Sequence, residues 1–193
     1  MTQISLSKLT DLELVLRCQE YGRHDDRPFQ ELMHRYQALI WRVCYSSLHN
    51  PQDAEDLTQE VFLKLHDHAF KRRLFTAKRE HNLNAWLYRV ATNMGYNAIR
   101  GRKRRWQRNV VLVPDEQGTP NAEQIVARQE EVNTVRQTLA RLPQRQAQLL
   151  LLRQMGLSYA ECADACNVAP GSVGTLLARA ATAFRRAYEE EMG

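Results

Sequence analysis

Apolar residues return every three to four positions along almost the whole chain, and β-branched runs are few, so α-helices are the elements that can bury them. Thr10 and Glu13 are spaced as a capping box ahead of Leu14, Leu16 and Cys18, and Tyr21-Gly22 closes that helix. A second helix starts at Asp26 with Pro28 in its first turn. It carries Phe29, Leu32, Met33, Tyr36, Ile40 and Val43 as an inward stripe until Asn50-Pro51 breaks it. From Gln52 a third helix sets Ala54, Leu57, Val61 and Leu65 on one arc and Asp53, Asp56 and Glu60 on another. Residues 66–81 are polar, basic and aperiodic, and read as a loop. A fourth helix starts at Asn82 or Asn84, either of which can serve as the N-cap. Its buried stripe is Leu87, Val90, Ala91, Met94 and Ala98, and its other side carries Trp86, Arg89, Asn93, Asn97 and Arg100.

Residues 109–121 lose the helical period and contain Pro114, Gly118 and Pro120, which marks a linker. The VVLV run inside it could be a strand, with nothing nearby to pair with it. A long helix follows to Leu142 with Ile125, Val132, Val135, Leu139 and Leu142 inward, and Pro143 opens the next, which carries Leu149, Leu151 and Leu152 and stops at Gly156. Ser158 and Glu161 cap a short helix ending near Asn167, and Pro170-Gly171-Ser172 opens the last one. Two helices across a tight turn suggest a helix-turn-helix. In the last helix Val173, Leu177, Ala180, Phe184 and Ala187 project one way, and Ser172, Thr175, Arg179 and Arg186 the other. The expected fold is all-α: two small helical domains, 1–108 and 122–193, joined by a flexible linker at 109–121, the second a helix-turn-helix.

Charge divides along the same lines. The chain is 193 residues with a net charge of +5. No Lys or Arg lies between Arg42 and Lys64, where Asp53, Glu55, Asp56 and Glu60 fall, whereas six of the nine residues from Arg100 to Arg108 are basic. One acidic and one basic surface point to two partners, one cationic and one a polyanion. The segment WLYRVATNMGYNAIRGRKRRW joins a helical face of aromatics and amides to that cationic tail. Cations attract phosphates whatever the base sequence, and aromatics and amides can stack on or hydrogen-bond to exposed bases. A core helix followed by a solvated charge run is the competing explanation for this segment.

No apolar run reaches the roughly 20 residues that span a bilayer, and no signal-peptide segment stands at the N-terminus, so the expectation is a soluble cytoplasmic protein without membrane insertion. Cys18, Cys44, Cys162 and Cys166 lack CxxC spacing. Cys162 and Cys166 could share a metal, but without a partner ligand they read as small buried residues. No metal, cofactor or catalytic group is expected. An enzyme with Asp53, Asp56 and Glu60 on a divalent ion would need a converging second ligand set and a phosphate loop, and neither is present.

In order and spacing, FQELMHRYQALIWRVCY, NPQDAEDLTQEVFLKL, WLYRVATNMGYNAIRGRKRR and LARLPQRQAQLLLLRQMGLSYAECADACNVAPGSVGTLLARA together resemble the small, two-domain, extracytoplasmic-function type of bacterial RNA polymerase sigma factor. The resemblance implies that Asp53, Asp56, Gln59 and Glu60 meet the clamp helices of core RNA polymerase's largest subunit. It implies that Asn84, Trp86, Arg89, Asn93, Asn97 and Arg100 contact the melted minus-10 strand, with Arg102, Lys103, Arg104 and Arg105 on its phosphates. Trp86 at a helix start above Leu87 and Val90 also reads as a packing anchor. For the minus-35 promoter duplex the resemblance implies Ser172, Thr175, Leu176 and Arg179. It further implies an anti-sigma partner, which no residue identifies.

The chain departs from the family pattern at three places. Asn97 replaces the more usual Asp, adding a donor and removing a charge. Cys162 replaces an aliphatic residue. Gly174 and Leu176 stand where Lys or Arg is common, which lowers the salt-dependent share of DNA affinity; Leu176 could instead touch a thymine methyl or a protein. A stand-alone helix-turn-helix regulator is the alternative, and it leaves the acidic and basic helices of the first half without a task.

Overall fold

A computed structural model describes residues 5–21, 24–70, 82–108 and 122–192, with 102–108 and 122–129 described as backbone only. Among the described residues the regular structure is entirely helical. Among them, a 3-10 turn at Leu6–Lys8 and four α-helices make up the first half: α1 (Asp11–Tyr21), α2 (Arg27–Leu48), α3 (Pro51–Phe70) and α4 (Leu83–Arg108). Four form the second: α5 (Ala122–Arg141), α6 (Gln144–Gln154), α7 (Tyr159–Cys166) and α8 (Val173–Met192), the last entered through a 3-10 turn at Pro170–Ser172.

The local start signals act as their chemistry demands. Thr10 N–H and Oγ1–H both donate to Glu13, and Glu13 N–H donates back to Thr10 Oγ1 at 3.3 Å. Ser158 and Glu161 repeat that capping box on α7. Asn82, not Asn84, caps α4: its Oδ1 accepts from Ala85 N–H at 3.1 Å. Gly156 ends the α6 segment at φ +89, a conformation that side chains disfavour. At α2 the expected Asp26 makes no side-chain cap; Asp25 takes that role, accepting from Arg27 N–H at 3.1 Å and from the Arg27 guanidinium.

Ser158→Ala is expected to cost about 1 kcal/mol by leaving α7 uncapped. The hydroxyl and backbone N–H of Ser158 hold the Glu161 carboxyl below its ordinary pKa. The folded state therefore binds that proton less readily than the unfolded chain, so the carboxylate's share of the cap is present above the ordinary carboxylate range and is lost as pH falls through the lowered folded-state value, while the Glu161 N–H bond to Ser158 Oγ persists. Thermal melts of wild type and variant should therefore differ more at pH 7 than in acid below the carboxylate range; a gap no smaller in acid would contradict this account.

Two expectations change. The 66–81 segment does not start as a loop, because α3 continues through Phe70. Ala69 is fully buried, and the His66 ring lies 5.2 Å from Phe29 and 4.4 Å from Phe70, so apolar packing carries the helix one turn past its obvious period. Residues 71–81 lie outside the described residues, as does the VVLV run. Met33, expected inside, is exposed and lines a groove against α3.

The fourth helix is buried on more sides than its stripe requires. Leu87 and Ala91 are fully buried, Tyr88, Thr92, Tyr96 and Ile99 are also buried, and Val90, Met94 and Ala98 are half-buried. Towards α2 the approach is close: a Cβ on Gly95 would stand 2.7 Å from Ser47 Oγ. Towards the second half, α4 packs on α5, α6 and α7. Leu149, Leu152, Leu157, Cys162 and Val173 of the second half belong to the same apolar cluster as Leu87, Val61 and Leu32 of the first. A second cluster of Leu139, Leu142, Ala147 and Leu151 takes in Tyr96 from α4.

Candidate nucleic-acid interface

Three polar surfaces carry the residues singled out in the sequence. On α3, Asp56, Gln59 and Glu60 are exposed and Asp53 is half-buried in the first turn, its N–H donating to Asn50 Oδ1 at 3.0 Å. The opposite arc, Ala54, Leu57, Val61 and Leu65, is buried, and this fixes the acids outward. Beside them a groove of about 1110 Å³ opens between α2 and α3, lined by Met33, Trp41, Glu55, Gln59 and Leu63 among others. Leu63 is 67% exposed at its rim. Exposed apolar and acidic side chains in one surface suit a partner helix of apolar and basic character.

The α4 face is divided. Trp86 is half-buried on the core with its ring edge-on to His68 at 5.1 Å, in the packing position that a helix-start Trp favours. Asn84 has a buried Oδ1 that accepts no hydrogen bond among the described residues. Arg89 reaches the end of α7, donating through Nε to Ala165 O at 2.7 Å and through its second nitrogen to Asp164 O. Asn93 Oδ1 accepts from Gln144 Nε2 at 2.7 Å and also from Gln148 Nε2. Asn97 and Arg100 are exposed, and the Arg100 guanidinium sits 5.6 Å over the Tyr96 ring. The backbone of Arg102, Lys103, Arg104 and Arg105 continues α4 without a break, so the cationic run extends the same helix; their side chains lie outside the described residues.

The third surface is the start of α8. Ser172, Thr175 and Arg179 are exposed, because Val173 and Ala180 on the other side of the helix turn inward and are fully buried. Leu176 is half-buried against the core, so only part of it is offered to a partner. At Gly174 a Cβ would meet only ordinary contact, 3.5 Å from the Tyr159 ring, so steric crowding does not account for glycine there.

All four cysteines are buried free thiols. Burial pushes Cys18, Cys44 and Cys166 up to about 11 and raises Cys162. Among the described residues no cluster of His, Cys, Asp or Glu could hold a metal ion. Among them too, no helix is long and apolar enough to cross a membrane.

Sequence reasoning missed Gln144, Gln148 and Tyr96. Gln148 is buried and Tyr96 is 2% exposed, with its hydroxyl donating to Leu142 O at 2.6 Å. The available signal was the pair of glutamines at i and i+4 on an otherwise leucine-rich helix, which puts two amides on one face.

A family model described as Sigma-70 region 2 matches residues 32–105, and one described as Sigma-70, region 4, matches residues 133–184. The chain is 30% identical to the RNA polymerase sigma-H factor of Pseudomonas aeruginosa over 95% of its own length and 96% of the relative's. It is 28% identical to the ECF RNA polymerase sigma factor SigW of Bacillus subtilis, over 88% of this chain and 94% of that one. Among solved structures, CnrH in complex with the cytosolic domain of CnrY matches with a TM-score of 0.55 at 20% identity, covering 93% of this chain and 97% of that one. That likeness speaks to the fold.

Proposed function

Because the chain belongs to the bacterial RNA polymerase sigma factors of the extracytoplasmic-function type, which direct core polymerase to promoters, we propose a division of that work among its three surfaces. The acidic face of α3, with Asp53, Asp56, Gln59 and Glu60, docks on cationic side chains of the polymerase. The α4 face, with Asn84, Arg89, Asn93, Asn97 and Arg100, contacts the melted minus-10 strand; Arg102, Lys103, Arg104 and Arg105 hold its phosphates, and Trp86 chiefly anchors the helix. Flipped bases lose a few kcal/mol of stacking, which edge hydrogen bonds and stacking on protein can offset. Ser172, Thr175 and Arg179, flanked by Leu176, read the minus-35 duplex. The protein works in the cytoplasm and supplies no chemistry of its own.

The observation that carries this reading is the exposure of Asp56, Gln59 and Glu60 beside an open apolar groove, on a helix remote in sequence from the exposed start of α8. The same groove, apolar, open and edged by exposed Leu63, is the natural target of an anti-sigma partner. Co-elution with purified core polymerase on size exclusion, and run-off transcription from a pool of random promoters, test the whole. A chain that stayed apart from core polymerase would favour the stand-alone regulator.

Arg179→Ala is expected to weaken binding to a selected promoter duplex by roughly 1–3 kcal/mol, since Arg179 is exposed on the reading face and a bidentate base contact is of that size. Polymerase binding should be unchanged. Equal loss of both activities would contradict the separation of surfaces.

A further inference from the structure

Two of the five side chains of the proposed strand-reading face, Arg89 and Asn93, are already held by the protein itself. Arg89 is held by two carbonyl oxygens at the C-terminal end of α7. The Asn93 carbonyl oxygen is taken by Gln144 and Gln148, and Gln148 also reaches Thr92 Oγ1 at 3.3 Å. One turn further on, Tyr96 inserts into the apolar cluster of the second half and donates to Leu142 O. At the other end of the seam Ser46 Oγ meets Met155 Sδ at 3.7 Å. A melted strand and the α6–α7 pair therefore need the same side chains of α4.

The occlusion is selective. Asn97 and Arg100, further along α4, stay exposed, and so do Asp56, Gln59 and Glu60 on α3 and Ser172, Thr175 and Arg179 on α8. We propose that this is a closed state in which the helix-turn-helix half blocks strand reading by α4, while leaving the polymerase face and the duplex face open, with Tyr96 and the Gln144–Gln148 amide pair as its latch. The proposal rests on the assignment of α4 to the single strand. Closure orders the steps: polymerase and duplex can be engaged first, and the strand is read only once α6 and α7 have left α4.

The latch can be weakened without touching a proposed DNA contact. In full-length protein, Gln144→Ala combined with Gln148→Ala removes the amides that hold Asn93. Dyes on cysteines placed at exposed positions, Lys64→Cys on α3 and Glu189→Cys on α8, report separation of the halves by energy transfer; the native thiols are buried and raised in pKa, which favours selective labelling. The binding probes are a fluorescein-labelled single-stranded DNA 20-mer of mixed sequence and its duplex.

The double variant should lower energy transfer and tighten single-strand binding by roughly five- to tenfold, on the scale of a few lost hydrogen bonds, while duplex binding moves less than about twofold. Gln144→Ala alone, at an exposed position, should shift both readouts the same way by less and guards against misfolding of the double variant. Unchanged energy transfer in the folded variants would overturn the latch. Lower transfer with unchanged strand binding would overturn the gate, and Arg100→Ala in the same background then decides the underlying assignment: weaker strand binding keeps α4 as the reader, and no effect removes it.

Discussion

Asp56→Arg is expected to cost roughly 2–5 kcal/mol of affinity for core polymerase, about thirtyfold to several thousandfold, with little change in folding. Asp56 is exposed on α3, and the arc that holds the helix in place, Ala54, Leu57, Val61 and Leu65, lies on its other side. Surface substitutions of this kind usually move stability by no more than about 0.5 kcal/mol. An Arg at this position can also pair with Glu60 one turn on, which adds about 0.3 kcal/mol of local helix support. What changes is the sign of a charge that would be desolvated against a cationic partner. Fluorescence titration of core polymerase, with thermal melts as the folding control, measures it; an unaltered Kd would remove this face from the polymerase contact.

Leu87→Ala tests the opposite kind of residue. Leu87 is fully buried on α4, within the cluster that also holds Leu32 and Val61 of the first half and Leu152 of the second. Truncation there removes apolar contacts and leaves a cavity that close-packed neighbours fill only in part, so the expected cost is about 2–5 kcal/mol. In urea, with a slope near 2 kcal/mol/M, the midpoint should fall by roughly 1–2.5 M. The position also carries function, because α4 sets the spacing of Arg89, Asn93, Asn97 and Arg100. Strand binding should therefore decline alongside stability, while the α8 duplex face, on another helix, declines less. A midpoint shift under about 0.3 M would mean that the surrounding helices close over the gap.

Legibility followed the range of the interaction. The capping boxes at Thr10 and Ser158 act between residues three apart, and both are present as read. The arc of α3 is equally local: apolar residues at helical spacing turn inward and the acids between them have only solvent to face. The extension of α3 through Phe70 was not legible, because it depends on ring contacts of His66 and Phe70 with Phe29, about forty residues away in the chain. Met33 failed as a core residue for a similar reason. Cys44, three turns on at nearly the same angle, is fully buried, so position along α2 decides, and Met33 falls at the groove.

Sequence alone determined the helical class, the order of the elements, their start signals, and the outward placement of the acids on α3 and of Ser172, Thr175 and Arg179 on α8, since each follows from residues within two turns. Only the tertiary structure decided the state of α4. A helix read from its own pattern has one buried stripe and one polar face, yet here Tyr96 and Thr92 are buried and Arg89 and Asn93 are hydrogen-bonded on that second face. Their partners, Leu142, Gln144, Gln148 and Asp164, lie some fifty to seventy-five residues further along. Hydrogen bonds and apolar contacts at that separation depend on which surfaces meet in space, and no periodicity within one helix encodes that meeting.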